Sequence, residues 1–240
     1  MKSPTFDGSG SSRGILELEL RARGLERQRD FYGRTLHLPV VEEAADRITI
    51  QAGATRLTFL QAGPEHGHPI YHFAFNIPEN QLAAAKEWLG RCVPPVPLIT
   101  KEGREVFHFE TWNAHSIYFH DPAGNIVEFI ARHNLRNAAS GRFSEEKILH
   151  ASEIGLVVDD VAAEVAALGA HLGLPVYRPG SPTLVPVGDE HRLLIVVRRE
   201  YVWLPTRDTR ARAYPTSAVL AGSRAAQYNV AGQPYTVLMR

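Results

Sequence analysis

The chain has 240 residues, 44% of them hydrophobic and 22% charged, which is ordinary for a globular protein with a substantial core. Its 26 Lys and Arg residues balance its 26 Asp and Glu residues, so bulk charge gives no reason to expect nucleic acid or an anionic membrane as a partner. The single cysteine, Cys92, excludes an internal disulfide. It follows an apolar helical run, which favours a buried small side chain over a nucleophile.

The first segment, residues 1–13, is mostly polar and rich in Gly and Ser, and it lacks the apolar segment of a signal peptide. No apolar run in the sequence approaches the roughly 18 residues that a membrane-spanning helix needs. We therefore expect a flexible leader, a cytoplasmic protein and no membrane partner.

Three short segments share one alternating pattern. They are E-L-E-L-R-A at 17–22, H-F-A-F-N-I at 72–77 and E-I-G-L-V-V at 153–158. Apolar residues occupy the second, fourth and sixth positions of each, which is the period of a strand with one face on a core. Each segment begins with a residue that could bind a metal from the opposite face, namely Glu17, His72 and Glu153.

Each strand leads into a helix-like stretch, and these lie at 25–36, 79–91 and 161–172. The first and third stretches end in matching residues, H-L-P-V and G-L-P-V, where proline stops a helix. Two short strands around a glycine turn follow in both. The pattern predicts a β-α-β-β-β unit that is repeated along the chain.

The second unit is longer than the others. A Pro-rich link follows its helix, and its last two strands are joined by D-P-A-G-N at 121–125, a turn with an early Pro and a Gly where φ must be positive. The three predicted units span roughly 14–62, 69–133 and 149–204, with a polar joint at 134–144. The tail at 205–240 contains one late strand-like run, 235–239, and the sequence leaves open whether the tail is a partner arm or a cover.

The segments F-Y-G-R-T-L-H-L-P-V, H-F-A-F and Y-F-H-D-P-A-G-N-I-V-E-F resemble the vicinal oxygen chelate superfamily. That group includes glyoxalase I, extradiol ring-cleavage dioxygenases, fosfomycin-resistance transferases and bleomycin-binding proteins. The resemblance implies an α+β fold in which two βαβββ units pair into one open, curved sheet that holds a metal. We therefore expect a paired domain over 14–133 and a third similar unit over 149–204, which is structural or serves in dimerisation.

The resemblance also implies a set of metal ligands, carried over position by position. The first-strand ligands fall on Glu17 and His72, and the last-strand ligand of the second unit falls on Glu128. Thr58 occupies the last-strand position of the first unit and is a poor ligand. In the third unit the corresponding residues are Glu153 and Leu194, so no complete site is expected there.

One imidazole and two carboxylates favour Mn²⁺, Fe²⁺, Ni²⁺ or Zn²⁺ over copper. Three ligands leave positions where two adjacent oxygens of a substrate could bind. Glu19 shares the strand face of Glu17 and could be an additional acid or base. The simpler alternative is that His72 is an ordinary buried histidine and Glu17 a solvated carboxylate.

A second cluster of polar and aromatic residues lies in F-H-F-E-T-W-N-A-H-S-I-Y. Such a mixture suits the wall of a small-ligand pocket, although an edge strand with a polar outer face would have the same composition. His115 and Tyr118 are the catalytic candidates of this cluster. The substrate-binding candidates are His108, Glu110, Trp112, Asn113 and Ser116.

Two functions are consistent with these features. The first is a metal-dependent dioxygenase, lyase or transferase that acts on a small oxygen-rich or aromatic molecule. The alternative is a protein that binds and sequesters a small antibiotic or toxin without a metal and without catalysis. In either case we expect a small-molecule ligand, no nucleic acid, and a homodimer.

Overall fold

The computed structural model of the protein describes residues 14–240, so the leader expected at 1–13 lies outside the described residues. The strands are β1 (Ile15–Ala22), β2 (Val40–Ala44), β3 (Arg47–Ala52), β4 (Thr55–Gln61), β5 (His72–Ile77), β6 (Phe107–Phe109), β7 (Ala114–His120), β8 (Ile126–Arg132), β9 (His150–Val158), β10 (Leu184–Asp189), β11 (Arg192–Arg198), β12 (Thr216–Leu220), β13 (Ala226–Asn229) and β14 (Tyr235–Met239). The α-helices are α1 (Leu25–Arg29), continued by a π-helical turn over Asp30–Thr35, α2 (Leu82–Arg91) and α3 (Val161–Leu172).

The expected α+β fold of repeated units is confirmed, and a further unit lies in the tail. In each of the three expected units the first strand pairs in parallel with the last, β1 with β4, β5 with β8, and β9 with β11. Strands β12, β13 and β14 form a shorter fourth unit, in which β12 is parallel to β14 and no helix separates β12 from β13 over the described stretch 216–229. The tail is therefore an integral part of the sheet.

The units pair differently from the pairing expected. Strand β5 of the second unit pairs antiparallel with β9 of the third, and β1 of the first pairs antiparallel with β12 of the fourth. Units two and three thus share one curved sheet, β6-β7-β8-β5-β9-β11-β10, which we call the central sheet. Units one and four share β2-β3-β4-β1-β12-β14-β13, which we call the terminal sheet. The expected pairing of unit one with unit two was wrong, because β1 takes its partner from the tail and β5 pairs with β9 instead.

The two sheets meet at a narrow junction. A bridge between Ile15 and Ala151 joins β1 to β9, so the described strands form one continuous sheet. The buried Thr55 hydroxyl reinforces the bridge by donating to the Ile15 carbonyl at 2.6 Å and accepting from the Ala151 amide at 2.7 Å.

A second contact between the sheets uses the D-P-A-G-N turn. The buried Asp121 carboxylate accepts hydrogen bonds from Gln28 Nε2 at 2.7 Å and from the Tyr32 hydroxyl at 3.0 Å. It also accepts from Asn125, through the backbone amide at 3.0 Å and through Nδ2 at 2.8 Å. This turn therefore fixes the start of β8 and anchors the first helical segment to the second unit.

The strands at the middle of the central sheet are covered on both faces. Every residue of β5, β8 and β9 is buried. One face contributes to the main apolar core, and a smaller apolar cluster on the other face includes Tyr118, Ile195, Trp203 and Ala211. The connection between units three and four supplies Trp203 and Ala211, and it closes over the concave side of the central sheet. Within residues 14–240, no helix combines the length and apolar character needed to cross a membrane.

Candidate metal centre

Two strand registers bring His72, Glu128 and Glu153 together. Glu128 on β8 lies opposite Ala74 on β5, and Glu153 on β9 lies opposite the same residue from the other side. Residues two apart face the same side of a strand, so His72 and Ala74 share a face, and both glutamates join it. One donor atom from each of the three side chains lies within 4.8 Å of the others, and all three residues are buried.

The His72 ring is oriented by the backbone of β8. Its Nδ1 lies 3.2 Å from the Ile126 carbonyl oxygen, which can only accept, so Nδ1 carries the proton. Burial lowers the pKa of His72 to about 4, which keeps the ring neutral at pH 7. The Nε2 lone pair therefore faces the interior, 3.5 Å from Glu128 Oε2. A neutral imidazole whose second nitrogen is held by a carbonyl is the usual state of a metal-binding histidine.

Glu128 lies in an environment that disfavours its charge. Burial, and secondarily the charge of Glu153, raise the pKa of Glu128 to about 8. Tyr118 lies opposite Glu128 on β7. Burial and the two glutamate charges raise the pKa of Tyr118 well above its usual range, so its phenol stays protonated.

Glu153 is held from behind by a buried arginine. Arg132 Nη2 donates a short hydrogen bond to Glu153 Oε1, and the guanidinium is fully buried. Burial raises the pKa of Glu153, while Arg132 opposes that rise. The same guanidinium donates from Nε to Asn76 Oδ1 at 3.1 Å and lies 5.5 Å from the centre of the Trp112 ring.

The last strand of unit three, β11, contributes an apolar residue where the last strand of unit two contributes Glu128. By the register of β9 with β11, the residue that corresponds to Glu128 in unit three is Ile195, opposite Gly155. The sequence comparison between units had placed Leu194 there, one residue away. Gly155 leaves room for an aromatic ring, because a Cβ at that position would lie 2.5 Å from Trp203 Cη2. The Trp203 ring centre lies 5.1 Å from that of His72, so the open side of the three ligands faces an apolar wall.

A cavity of about 230 Å³ lies over the three residues. An apolar cavity of roughly 150 Å³ is enough to hold benzene, so this one can hold a small aromatic molecule. His72, Glu128 and Glu153 are its lining residues that carry an imidazole or a carboxyl group. The remaining lining residues are apolar or aromatic: Phe109, Trp112, Tyr118, Ile130, Leu184, Ile195, Tyr201, Trp203 and Leu204.

The three residues fit a divalent metal ion. Two ligand atoms that each lie about 2.1 Å from a tetrahedral metal are separated by roughly 3.4 Å. The 3.5 Å between His72 Nε2 and Glu128 Oε2 is close to that value and long for a hydrogen bond. One nitrogen and two carboxylate ligands suit a first-row divalent metal.

Glu17 and Glu19, the remaining ligand and acid-base candidates of the sequence analysis, lie in the terminal sheet. Glu17 is half exposed and forms an ion pair with Arg240. Both glutamates line a polar surface pocket with Thr58 and Ser217. The placement of Glu17 beside His72 was wrong, because β1 pairs with β12 and β4 and not with β5.

The second predicted cluster is divided between two faces of β7. Trp112 and Tyr118 line the cavity, as expected, whereas His115 faces the opposite side and contacts His133 at 2.8 Å. Ser116 is buried on the face of Tyr118 but does not line the cavity. Strand β6 ends at Phe109, and a 3-10 turn over Glu110–Trp112 brings Trp112 inward.

The other members of that cluster lie away from the cavity. His108 is exposed and stacks on the His115 ring. Glu110 is exposed, and the exposed Asn113 side chain donates to Asn134 at 2.8 Å. Assigning these residues to a substrate pocket was therefore wrong.

Glu153 was the ligand candidate that the sequence analysis set aside. It matched Glu17 and His72 in the repeat, but it was dismissed because its unit lacked a second ligand. The apolar wall from the connection between units three and four, including Tyr201 and Trp203, carried no sequence signal. Cys92 is buried, as expected.

No protein-family model matches the chain, and no curated protein is similar to it in sequence. Solved structures are similar to it over nearly its whole length. A proposed dioxygenase from Bacillus subtilis subsp. subtilis str. 168 is 12% identical, with a TM-score of 0.59, over 96% of this chain and 86% of its own. Glyoxalase I from Zea mays is 14% identical, with a TM-score of 0.54, over 95% of this chain and 92% of its own.

At these identities the similarity shows the fold. It confirms the vicinal oxygen chelate fold that the sequence resemblance implied, and its coverage extends over both sheets.

Proposed function

We propose that this chain, which has the vicinal oxygen chelate fold, is a metal-dependent enzyme for a small aromatic or oxygen-rich molecule. In this proposal His72, Glu128 and Glu153 hold a divalent ion, which is Mn²⁺, Fe²⁺, Ni²⁺ or Zn²⁺. The observation that carries the proposal is the convergence of three buried ligand atoms within 4.8 Å at the base of an aromatic cavity.

The environment of the three residues supports the proposal. Burial opposes the charge of both carboxyl groups and raises the pKa of Glu128 to about 8, so a charged Glu128 needs a compensating cation. Arg132 forms an ion pair with Glu153, and within residues 14–240 no ion pair joins an arginine or lysine to Glu128. A divalent ion at this position would act as a Lewis acid and orient two adjacent oxygens of a substrate.

The protein's own groups would bind and orient the substrate. The aromatic walls, Trp112 and Trp203 among them, would hold a flat ring and exclude water from the ligands. The Tyr118 phenol stays protonated at neutral pH, so it can donate a hydrogen bond to a substrate oxygen. Tyr118 is the one catalytic candidate of the sequence analysis that lines the cavity.

A specific observation also favours the alternative, a protein that sequesters a small molecule without a metal. Glu153 already has a cationic partner in Arg132, and the fourth ligand position is Ile195. The cavity could then hold a flat apolar ligand by its aromatic walls alone. In this alternative, metal-free protein binds such ligands and a metal does not improve their affinity.

Metal analysis of the purified protein and of variants tests the proposal. We expect the wild type to bind a divalent ion stoichiometrically, and His72→Ala and Glu128→Ala to weaken that binding by about 100-fold or more, because each removes a direct ligand. Calorimetric titration with Mn²⁺, Ni²⁺ and Zn²⁺, and with Fe²⁺ under anaerobic conditions, measures the affinities.

Glu17→Gln is the matched control, because Glu17 holds the position of His72 in the first unit, and we expect it to bind metal like the wild type. Wild-type protein without metal binding would sink the proposal and favour the sequestering alternative. Equal loss in Glu17→Gln and His72→Ala would place the ion elsewhere. A homodimer and a cytoplasmic location stay predictions of the sequence analysis.

A further inference from the structure

Arg132 is a fully buried arginine directly behind the candidate metal centre. It ends strand β8, four residues after Glu128, so both side chains face the concave side of the sheet. A buried guanidinium is costly unless its hydrogen bonds and charge are satisfied. Within residues 14–240, Arg132 Nη1 has no hydrogen-bond partner among protein atoms, so the protein contacts of this guanidinium are made by its other two nitrogens.

The bonds that Arg132 does make define a single geometry. Nη2 donates to Glu153 Oε1, and Nε donates to Asn76 Oδ1 at 3.1 Å. Asn76 is itself fixed, because its Nδ2 donates to the Glu190 carbonyl at 2.9 Å. The Trp112 ring covers the guanidinium, with its centre 5.5 Å from Cζ. The guanidinium is thus held on two of its edges and on one face.

We propose that Arg132 is a positioning residue for the metal centre. It binds Glu153 through one carboxylate oxygen, so that Glu153 offers its other oxygen beside His72 and Glu128. It also offsets one of the two carboxylate charges, so that Glu153 remains in place near Glu128 before the ion arrives. The inference rests on the proposed metal-dependent function and assigns a role to a residue that is not a ligand.

Arg132 can affect the metal affinity in two ways that have opposite signs. A cation near a metal weakens binding by repulsion, whereas a group that orients a ligand strengthens binding. If orientation dominates, the loss of Arg132 weakens metal binding. Removal of a hydrogen-bonding partner of a metal ligand typically weakens affinity about 10-fold to 100-fold.

The test is a set of metal titrations on full-length wild type, Arg132→Met, Arg132→Lys, Glu153→Gln, and the double variant Arg132→Met with Glu153→Gln. Co²⁺ is the probe, because its visible spectrum reports the ligand geometry and its titration reports the affinity. We expect Arg132→Met to weaken Co²⁺ binding about 10-fold to 100-fold and to change the spectrum. Arg132→Lys keeps the charge but not the two-edged geometry, so its affinity should lie between those of wild type and Arg132→Met.

The double variant distinguishes positioning from a general effect on folding. Because Arg132 acts through Glu153, the double variant should bind Co²⁺ within about threefold of Glu153→Gln alone. Additive losses in the double variant would overturn the proposal, and so would unchanged or tighter binding by Arg132→Met. If Arg132→Met does not fold, Arg132→Lys carries the test, and wild-type affinity and spectrum in that variant would overturn the proposal.

Failure of this inference is distinguishable from failure of the proposed function. If the wild type binds Co²⁺ and the arginine variants bind it with the same affinity and spectrum, only the role of Arg132 is contradicted. Wild type that does not bind Co²⁺ contradicts both.

Discussion

The central and terminal sheets have corresponding strand pairings, but different side chains line the pocket on each sheet. In both, a first strand lies between its own last strand and the first strand of the paired unit. The central sheet places His72, Glu128 and Glu153 in buried positions under an aromatic cavity. At the corresponding positions of the terminal sheet lie Glu17, Thr58 and Ser217, around an open polar pocket.

The difference shows that the architecture does not make the site by itself. The terminal sheet has a carboxylate at the first-strand position, but Glu17 is solvated and already paired with Arg240. Exposed ion pairs of this kind contribute little energy, and the two carboxylates of that pocket, Glu17 and Glu19, are not buried. Burial opposes the ionisation of both carboxyl groups in the central sheet, and a divalent ion there would favour their charged forms.

The largest expected effect concerns the contact that joins the two sheets at Asp121. Asp121→Ala leaves the Gln28 amide, the Tyr32 hydroxyl and both Asn125 donors without their acceptor. We expect a loss of about 3–5 kcal/mol in the free energy of unfolding, because buried donors lose a charged partner. Urea unfolding measures it.

Asp46→Ala is the control, because that aspartate lies in an exposed turn of the terminal sheet and its ion pair with Arg47 is solvated. It should change stability by less than about 0.5 kcal/mol. Similar losses in the two variants would mean that the Asp121 contact does not hold the sheets together.

The junction between the sheets should also respond to pH through His150. Burial lowers the pKa of His150 to about 4, and His191 and Arg132 add to that shift while Asp189 opposes it. An unfolded histidine titrates near 6.5, so the neutral ring stabilises the fold fully above that pH and loses its contribution as the pH falls towards 4. Relative to His150→Asn, the wild type should lose up to about 3 kcal/mol between pH 7 and pH 4.

Urea unfolding of both proteins at each pH gives this difference. His171→Asn is the control, because it makes the same substitution at a histidine that is exposed on α3. A wild type and His150→Asn variant with the same pH dependence would show that His150 does not titrate with folding.

A smaller effect tests the aromatic wall at Trp203. This wall makes the cavity of the central sheet apolar, whereas the pocket of the terminal sheet is polar. Gly155→Ala places a Cβ 2.5 Å from Trp203 Cη2, so the indole ring must move away from strand β9. We expect a loss of about 1–3 kcal/mol in unfolding free energy, because overpacking displaces the ring. Tryptophan fluorescence and urea unfolding report the movement and its cost.

Gly90→Ala is the matched control, because its Cβ would meet no atom within 4 Å in helix α2. It should leave fluorescence unchanged and stabilise the protein by up to about 1 kcal/mol. If Gly155→Ala behaved like Gly90→Ala, Trp203 would not be held against the sheet at Gly155.

Much of the fold followed from local patterns. Period-2 alternation located β1, β5 and β9, and helix α3 spans the residues that the sequence analysis assigned to it. The D-P-A-G-N turn predicted the β7–β8 connection, and the family resemblance that this segment carries implied Glu128 as a ligand. His72 and Glu128 were therefore recognisable without the structure.

The rest depended on contacts far apart in sequence. The first strands of the units carry the same alternating pattern, so this pattern does not predict which first strands are neighbours in the sheet. Trp203 contributes to the site only because a connection of mixed composition folds over Gly155. Arg132 and Glu153 meet because β8 and β9 flank the same strand, although the residues are 21 positions apart.

The sequence by itself determined the repeated unit, the strand positions of His72, Glu128 and Glu153, and the fold family that they resemble. Only the tertiary structure decided that unit two pairs with unit three and that unit one pairs with the tail. The physical reason is that alternation fixes which face of a strand is buried, whereas the partner of a strand is chosen by packing over the whole chain. That choice brought Glu153 to His72 and left Glu17 in solvent.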